Sequence, residues 1–235
     1  MTNLNIVSGG AAQGLVASLS AKFKQQTGLD IAGEYGAVGA MAGKLRGGAA
    51  ADVVILTAAL ITDLARENLI APASTADIGR VETALAVRVR GPRWPVHDAA
   101  SLREALLQAD AIFVPDTAAS TAGIHVAKVL KQLGIAEEVA GRLRIYPNGA
   151  TAMRHLAESD AKRPIGCTQS TEILNTKGVT LSGPLPRGCD LSTLYTAAIT
   201  ATALHAQQAQ VLIDLLTSPE EGELRTRAGF LGPGK

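Results

Sequence analysis

The sequence predicts an α/β fold of two doubly wound lobes joined by a two-strand hinge, with lobe 1 at residues 1–83 plus 197–235 and lobe 2 at 84–196. Short apolar runs alternate with helical patterns, and β-α-β-α-β-α is complete by residue 70. A second β-α set follows, and after it come one more strand and two more helices. Such a chain naturally returns to the first lobe to finish it. Segments near 82–86 and 194–198 then cross between the lobes, with a ligand cleft expected between them.

Taken in order, Leu4, Ile6 and Val7 start a buried strand that Ser8-Gly9-Gly10 breaks. From Ala11 onward, Leu15, Val16, Leu19 and Phe23 keep helical spacing. Residues 29–35 alternate as a second strand, and 38–46 form a helix opened by glycines. The run DVVIL at 52–56 is a parallel-type strand, continuous in its hydrophobicity, and a helix follows at about 59–68. Residues 71–80, with Pro72, Ser74 and Thr75, read as a loose connection, and 81–90 as a long strand. Ser101 reads as the cap of a helix ending at 108. The second set runs strand 111–114, helix 122–133, strand 143–146, helix 150–158, strand 165–168 and helix 170–174. Strands at 179–181 and 195–201 and helices at 206–216 and 219–228 close the chain.

Composition narrows the function. Of 235 residues, 47% are hydrophobic and 18% charged, which fills a core and excludes a disordered chain. Aromatics are only 3%, which argues against base-stacking or sugar platforms. A net charge of +1 with no basic run excludes nucleic acid as a partner. No apolar stretch reaches the length of a membrane span, so no membrane insertion is expected. Met1-Thr2-Asn3-Leu4 is not a signal peptide, so the chain as given reads as cytoplasmic, or as periplasmic if a leader was removed. Cys167 and Cys189 read as free thiols, although they could pair. No His/Cys/Asp/Glu cluster has metal-ligand spacing and no GxGxxG is present, so neither a metal nor any other cofactor is expected.

The strand-to-helix turns carry the chemistry. A strand that enters a helix through glycines leaves backbone N–H groups at the positive end of the helix dipole, where an anion binds. The candidate ligand residues are Ser8, Gly10, Ala11 and Gln13 after the first strand, and Val38 and Gly39 after the second. In the second lobe they are Thr121, Ala122, Asn148, Thr151, Thr168 and Gln169. Each turn also reads as an ordinary connection, and Thr168 and Gln169 fit equally as caps of the next helix. His125, Cys167 and Glu172 are the groups that could carry a proton. His125 also reads as a half-buried structural histidine, and Cys167 as a buried, inert thiol.

In these segments the chain resembles the periplasmic molybdate-binding proteins of ABC transporters. FKQQTG at 23–28, the glycine turn at 36–39, GGAAADVVILTA at 47–58, TAGIHVAKVLKQLGI at 121–135, PIGCTQSTEI at 164–173 and SPEEGELRTRAGF at 218–230 carry the resemblance. It implies a type II periplasmic-binding-protein fold, an oxyanion held by hydroxyls and backbone amides, and an ABC transporter permease as a partner. It also implies a serine where this chain has Ala11, a second where it has Ala37-Val38-Gly39, and a tyrosine where it has Gln169. The ligand expectation therefore widens to a small anion, oxyanion or carboxylate. Aconitate isomerase, an enzyme class similar to that family, supplies the alternative. That alternative is a cytoplasmic isomerase moving a proton and double bond in a small polycarboxylic acid, with His125 or Cys167 as catalytic residues.

Overall fold

The computed structural model describes residues 3–232; the N-terminal reading that rests on Met1 and Thr2 lies outside them. The chain divides into two compact units, unit 1 being Met1–Val81 with Thr193–Lys235 and unit 2 being Glu82–Ser192. The divisions fall at 81/82 and 192/193 rather than at the anticipated 83/84 and 196/197.

Unit 1 opens with β1 (Asn3–Gly9), one turn of 3-10 helix at Gly10–Ala12 and α1 (Gln13–Thr27), which Gly28 ends in the left-handed conformation. Next come β2 (Asp30–Gly36), α2 (Val38–Arg46), β3 (Val53–Thr57), α3 (Ala58–Arg66) and β4 (Ala76–Arg88), which leads out of the unit. The chain returns in β9 (Ser192–Ile199), followed by α9 (Ala206–Thr217) and α10 (Gly222–Arg227). β1 lies between β2 and β3, parallel to both, and β9 pairs antiparallel with β3. All five residues of β3 are buried, so an unbroken apolar run is what this interior strand requires. The core gathers Leu4, Ile6, Leu15, Phe23, Ile55 and Phe230. Asp52, 2% exposed, accepts N–H bonds from Asn5 at 2.9 Å, Leu204 at 2.8 Å and His205 at 2.9 Å. One carboxylate thus ties the first strand to the entry of α9.

β4 begins at Ala76, inside the stretch anticipated as loose connection. Its start depends on a distant partner. Gly79 has φ +154°, and a Cβ there would lie 2.5 Å from the Leu231 carbonyl oxygen. Arg80 forms an antiparallel bridge with Leu231 at the far end of the chain.

Unit 2 holds α4 (Ala99–Gln108), β5 (Ala111–Pro115), α5 (Thr121–Gln132), the short α6 (Ala136–Val139) and β6 (Leu143–Tyr146). It continues with α7 (Gly149–Glu158), β7 (Pro164–Gln169), α8 (Ser170–Leu174) and β8 (Val179–Pro184). β5 is parallel to β6 and β7, while β4 runs antiparallel to β7 and β8. Apolar clusters cover both faces of this sheet. Ile165, Cys167, Leu102, Val126 and Leu130 lie in one; Phe113, Met153, Leu156 and Ile173 lie in the other. Ser101 is not the cap of α4. Asp98 caps it, accepting the Ser101 N–H at 2.8 Å, while the Ser101 hydroxyl accepts the Asp98 N–H in return.

Candidate functional site

In unit 1 the candidate residues stand where β1 and β2 pass into helices. Ser8 is fully buried, and its hydroxyl donates to the Gly9 carbonyl at 2.9 Å. A Cβ on Gly9 would come within 2.7 Å of Val38 Cγ1 and 3.2 Å of Tyr195 Cε1. Glycine there lets the turn after β1 pack directly on the start of α2. The helical turn at Gly10–Ala12, α1 and α2 all begin without a side-chain cap bond, and the residues preceding them are Gly9, Ala12 and Ala37. No cap side chain therefore satisfies the first-turn N–H groups of α1 and α2. Ala11 and Val38 are buried, Gly10 and Gln13 half-buried, and Gly39 exposed.

Unit 2 builds a more constrained arrangement at the carboxyl ends of β5, β6 and β7. Ser120, 8% exposed, caps α5 without a side-chain bond to its first turn, and Thr121 and Ala122 open the helix. A Cβ on Gly123 would overlap the carbonyls of Pro115 and Asp116, so glycine is what seats α5 against the end of β5. Asn148 caps α7 by accepting the Thr151 N–H at 2.8 Å, and Thr151 Oγ1 accepts from Arg154 at 2.9 Å. Both side chains are thus engaged locally.

Below this turn lies a buried carboxyl. Thr168 Oγ1 donates to Glu172 Oε2 at 2.5 Å, and Glu172 also accepts backbone N–H groups from Ala150, Gln169 and Gly149. A Cβ on Gly149 would overlap Glu172 Oε2 and Thr168 Oγ1, so only glycine leaves room for this carboxyl at the start of α7. Burial pushes the Glu172 carboxyl above the ordinary carboxylate range, opposed by the Thr168 hydroxyl and the three N–H groups. Next to it, Gln169 is 3% exposed and neither atom of its amide has a partner; Thr171 Oγ1 is also unpartnered. Glu172 and Gly149 form the part of the arrangement that sequence reasoning missed as a unit. The Asn-Gly signal was visible, but the reason for its glycine lies 23 residues away, at Glu172.

The two residues expected to be catalytic are engaged elsewhere. His125 Nε2 donates to the Cys189 carbonyl at 2.8 Å, bracing α5 against a loop. Cys167 is packed in the apolar cluster, where burial pushes its thiol up to about 12, so it is protonated at neutral pH. Cys167 and Cys189 are both free. Among the described residues, no group of three or more His, Cys, Asp or Glu could hold a metal ion, and no helix is long and apolar enough to cross a membrane.

The sign of the Glu172 shift gives a pH prediction. A carboxyl whose value is raised on folding holds its proton in the folded state over a window where the unfolded chain has lost it. Its contribution to stability is full below the ordinary value of 4.5 and is lost as pH rises through the folded value. Urea denaturation of wild type and Glu172→Gln between about pH 4 and pH 8 is expected to show the wild type losing ground to the variant as pH rises. A difference that stays flat would mean that the group does not titrate across folding.

The profile of the bacterial extracellular solute-binding proteins matches residues 4–231. The chain belongs to that family. Among curated proteins, this solute-binding-family chain is 24% identical over 240 residues to aconitate isomerase of Pseudomonas sp, covering 98% of this chain and 88% of that one. The periplasmic molybdate-binding protein of Azotobacter vinelandii superposes with a TM-score of 0.80 at 17% identity, covering 99% of this chain and 100% of that one. The sulfate-binding protein of Mycobacterium tuberculosis superposes at 0.73 and 17% identity, covering 98% and 86%. At these identities the structural likenesses establish the type II periplasmic-binding-protein-like α/β fold of this solute-binding family member.

Proposed function

We propose that the protein binds a small organic anion, a carboxylate, through backbone N–H groups and uncharged side chains, as the solute-binding component of an ABC importer. The observation that carries this reading is the buried Gln169 amide, unpartnered at both atoms at the carboxyl end of β7. An amide with backbone donors suits a planar carboxylate. Ala11 and Val38 bring no side-chain donor to the turns after β1 and β2. Glu172 already occupies N–H groups of Gly149 and Ala150 at the start of α7, which weakens the case for a fully charged tetrahedral oxyanion there.

The test is thermal shift against molybdate, tungstate, sulfate, phosphate, citrate, cis- and trans-aconitate and simple dicarboxylates. A ligand at 100 times its dissociation constant stabilises by about 2.7 kcal/mol, which is a shift of several degrees. Stabilisation by carboxylates is expected; a response to molybdate or tungstate alone would overturn the carboxylate reading.

A second reading, an isomerase acting on an unsaturated polycarboxylate, is favoured by the aconitate isomerase relative and by Glu172, a buried carboxyl able to hold and return a proton. Deuterium incorporation into cis- or trans-aconitate from heavy water, lost in Glu172→Gln, would support it. Its absence in the wild type would leave binding alone.

A further inference from the structure

The state of Gln169 goes further than the class of ligand. β7 alternates between two faces. Ile165 and Cys167 enter the apolar cluster that includes Val126 and Leu130 of α5. Gly166 instead meets Leu156 and Met153 of α7, and Thr168 meets Glu172 beside Gly149. The two-residue repeat therefore puts Gln169 on the face shared with α5. It stands there at the carboxyl end of β7, whose neighbour β5 leads into α5. The 12-residue α5 begins with a first turn to which Ser120 makes no side-chain bond. The carboxyl of Glu172 accepts the backbone N–H of Gln169, yet the Gln169 amide oxygen and nitrogen are both without partners.

An amide is two-sided: its NH2 group donates and its carbonyl only accepts. A fully ionised anion offers acceptors alone. It would satisfy the NH2 group and leave the carbonyl buried, unpaired and facing like charge. An anion that carries its own O–H satisfies both. Resting on the anion-binding reading above, we propose that Gln169 makes the site select anions that bring a hydrogen-bond donor, namely hydroxycarboxylates or monohydrogen oxyanions, over anions that offer acceptors alone.

Matched pairs test this on the intact chain by titration calorimetry at about pH 8, where carboxylic acids are ionised and phosphate keeps one proton. The pairs are malate with succinate, citrate with tricarballylate, and phosphate with sulfate. The donor-bearing member of a binding pair is expected to bind about tenfold to a hundredfold tighter, the cost of one buried acceptor left unpaired. In Gln169→Leu, or in Gln169→Met should the leucine variant not fold, both members are expected to bind more weakly and their ratio to fall to within about threefold. Equal affinities in the wild type, or a preference that survives in the folded variant, would overturn the proposal and leave anion binding intact. If no anion of any pair binds, the proposal falls, and the anion-binding reading falls with it when the wider thermal-shift panel is also without effect.

Discussion

Gly149→Ala is expected to lower stability by about 2–4 kcal/mol and to weaken anion binding. The added methyl would overlap Glu172 Oε2 and Thr168 Oγ1, both held by hydrogen bonds on well-formed elements. Relief requires either moving the start of α7 or expelling Glu172. Expulsion would strand the Thr168 hydroxyl and the N–H groups of Gly149 and Ala150. In a chain of this size the loss corresponds to a fall of roughly 5–15 °C in melting temperature. Gly141→Ala is the control: a Cβ there meets nothing within 4 Å, and its effect is expected to stay within about 1 kcal/mol. Calorimetric scanning of both variants decides the matter, and a Gly149→Ala melting point equal to that of the control would refute the steric account.

Asp52→Ala is expected to cost about 3 kcal/mol or more. The carboxylate accepts three N–H groups, from Asn5, Leu204 and His205, and is 2% exposed. Its removal leaves those donors in a site that water enters poorly, and hydrogen bonds to a charged acceptor are among the stronger ones. Asp52→Asn keeps an acceptor for Leu204 and His205 but turns an NH2 group toward Asn5, so its loss is expected to be about half as large. Hydrogen exchange should locate the damage in unit 1, at β1 and the entry to α9. Stability within about 1 kcal/mol of wild type for Asp52→Ala would show that the tie is dispensable.

What could be read in advance follows from how local each cause is. DVVIL signalled β3 because a fully buried strand writes its burial into consecutive residues. The glycine turn announced α2 because caps and turns are local chemistry. The start of β4 was hidden because its neighbours, β9 and Leu231, lie more than a hundred residues further along the chain. The cap of α4 was misplaced by three residues because Ser101 and Asp98 bond reciprocally, and the pattern alone favours either. In the candidate site, Thr168 and Gln169 stood out as polar residues ending an apolar strand. The commitment of His125 to the Cys189 carbonyl could not be seen, since a contact across 64 residues leaves no periodic trace. The partnership of Gly149 with Glu172 was hidden for the same reason.

The divided course of unit 1 has a consequence for how the protein is made. Glu82–Ser192 is continuous, whereas the other unit needs both Met1–Val81 and Thr193–Lys235. On the ribosome, β3 emerges early with β1 on one flank, but its second neighbour, β9, is translated only after the whole inserted unit. At bacterial elongation rates that delay is on the order of ten seconds. Throughout it, the four consecutive apolar residues Val53, Val54, Ile55 and Leu56 present an open strand edge. The nascent chain is therefore most prone to aggregate in its first third, and that hazard ends when the last strand arrives and the backbone of Leu204 and His205 reaches Asp52.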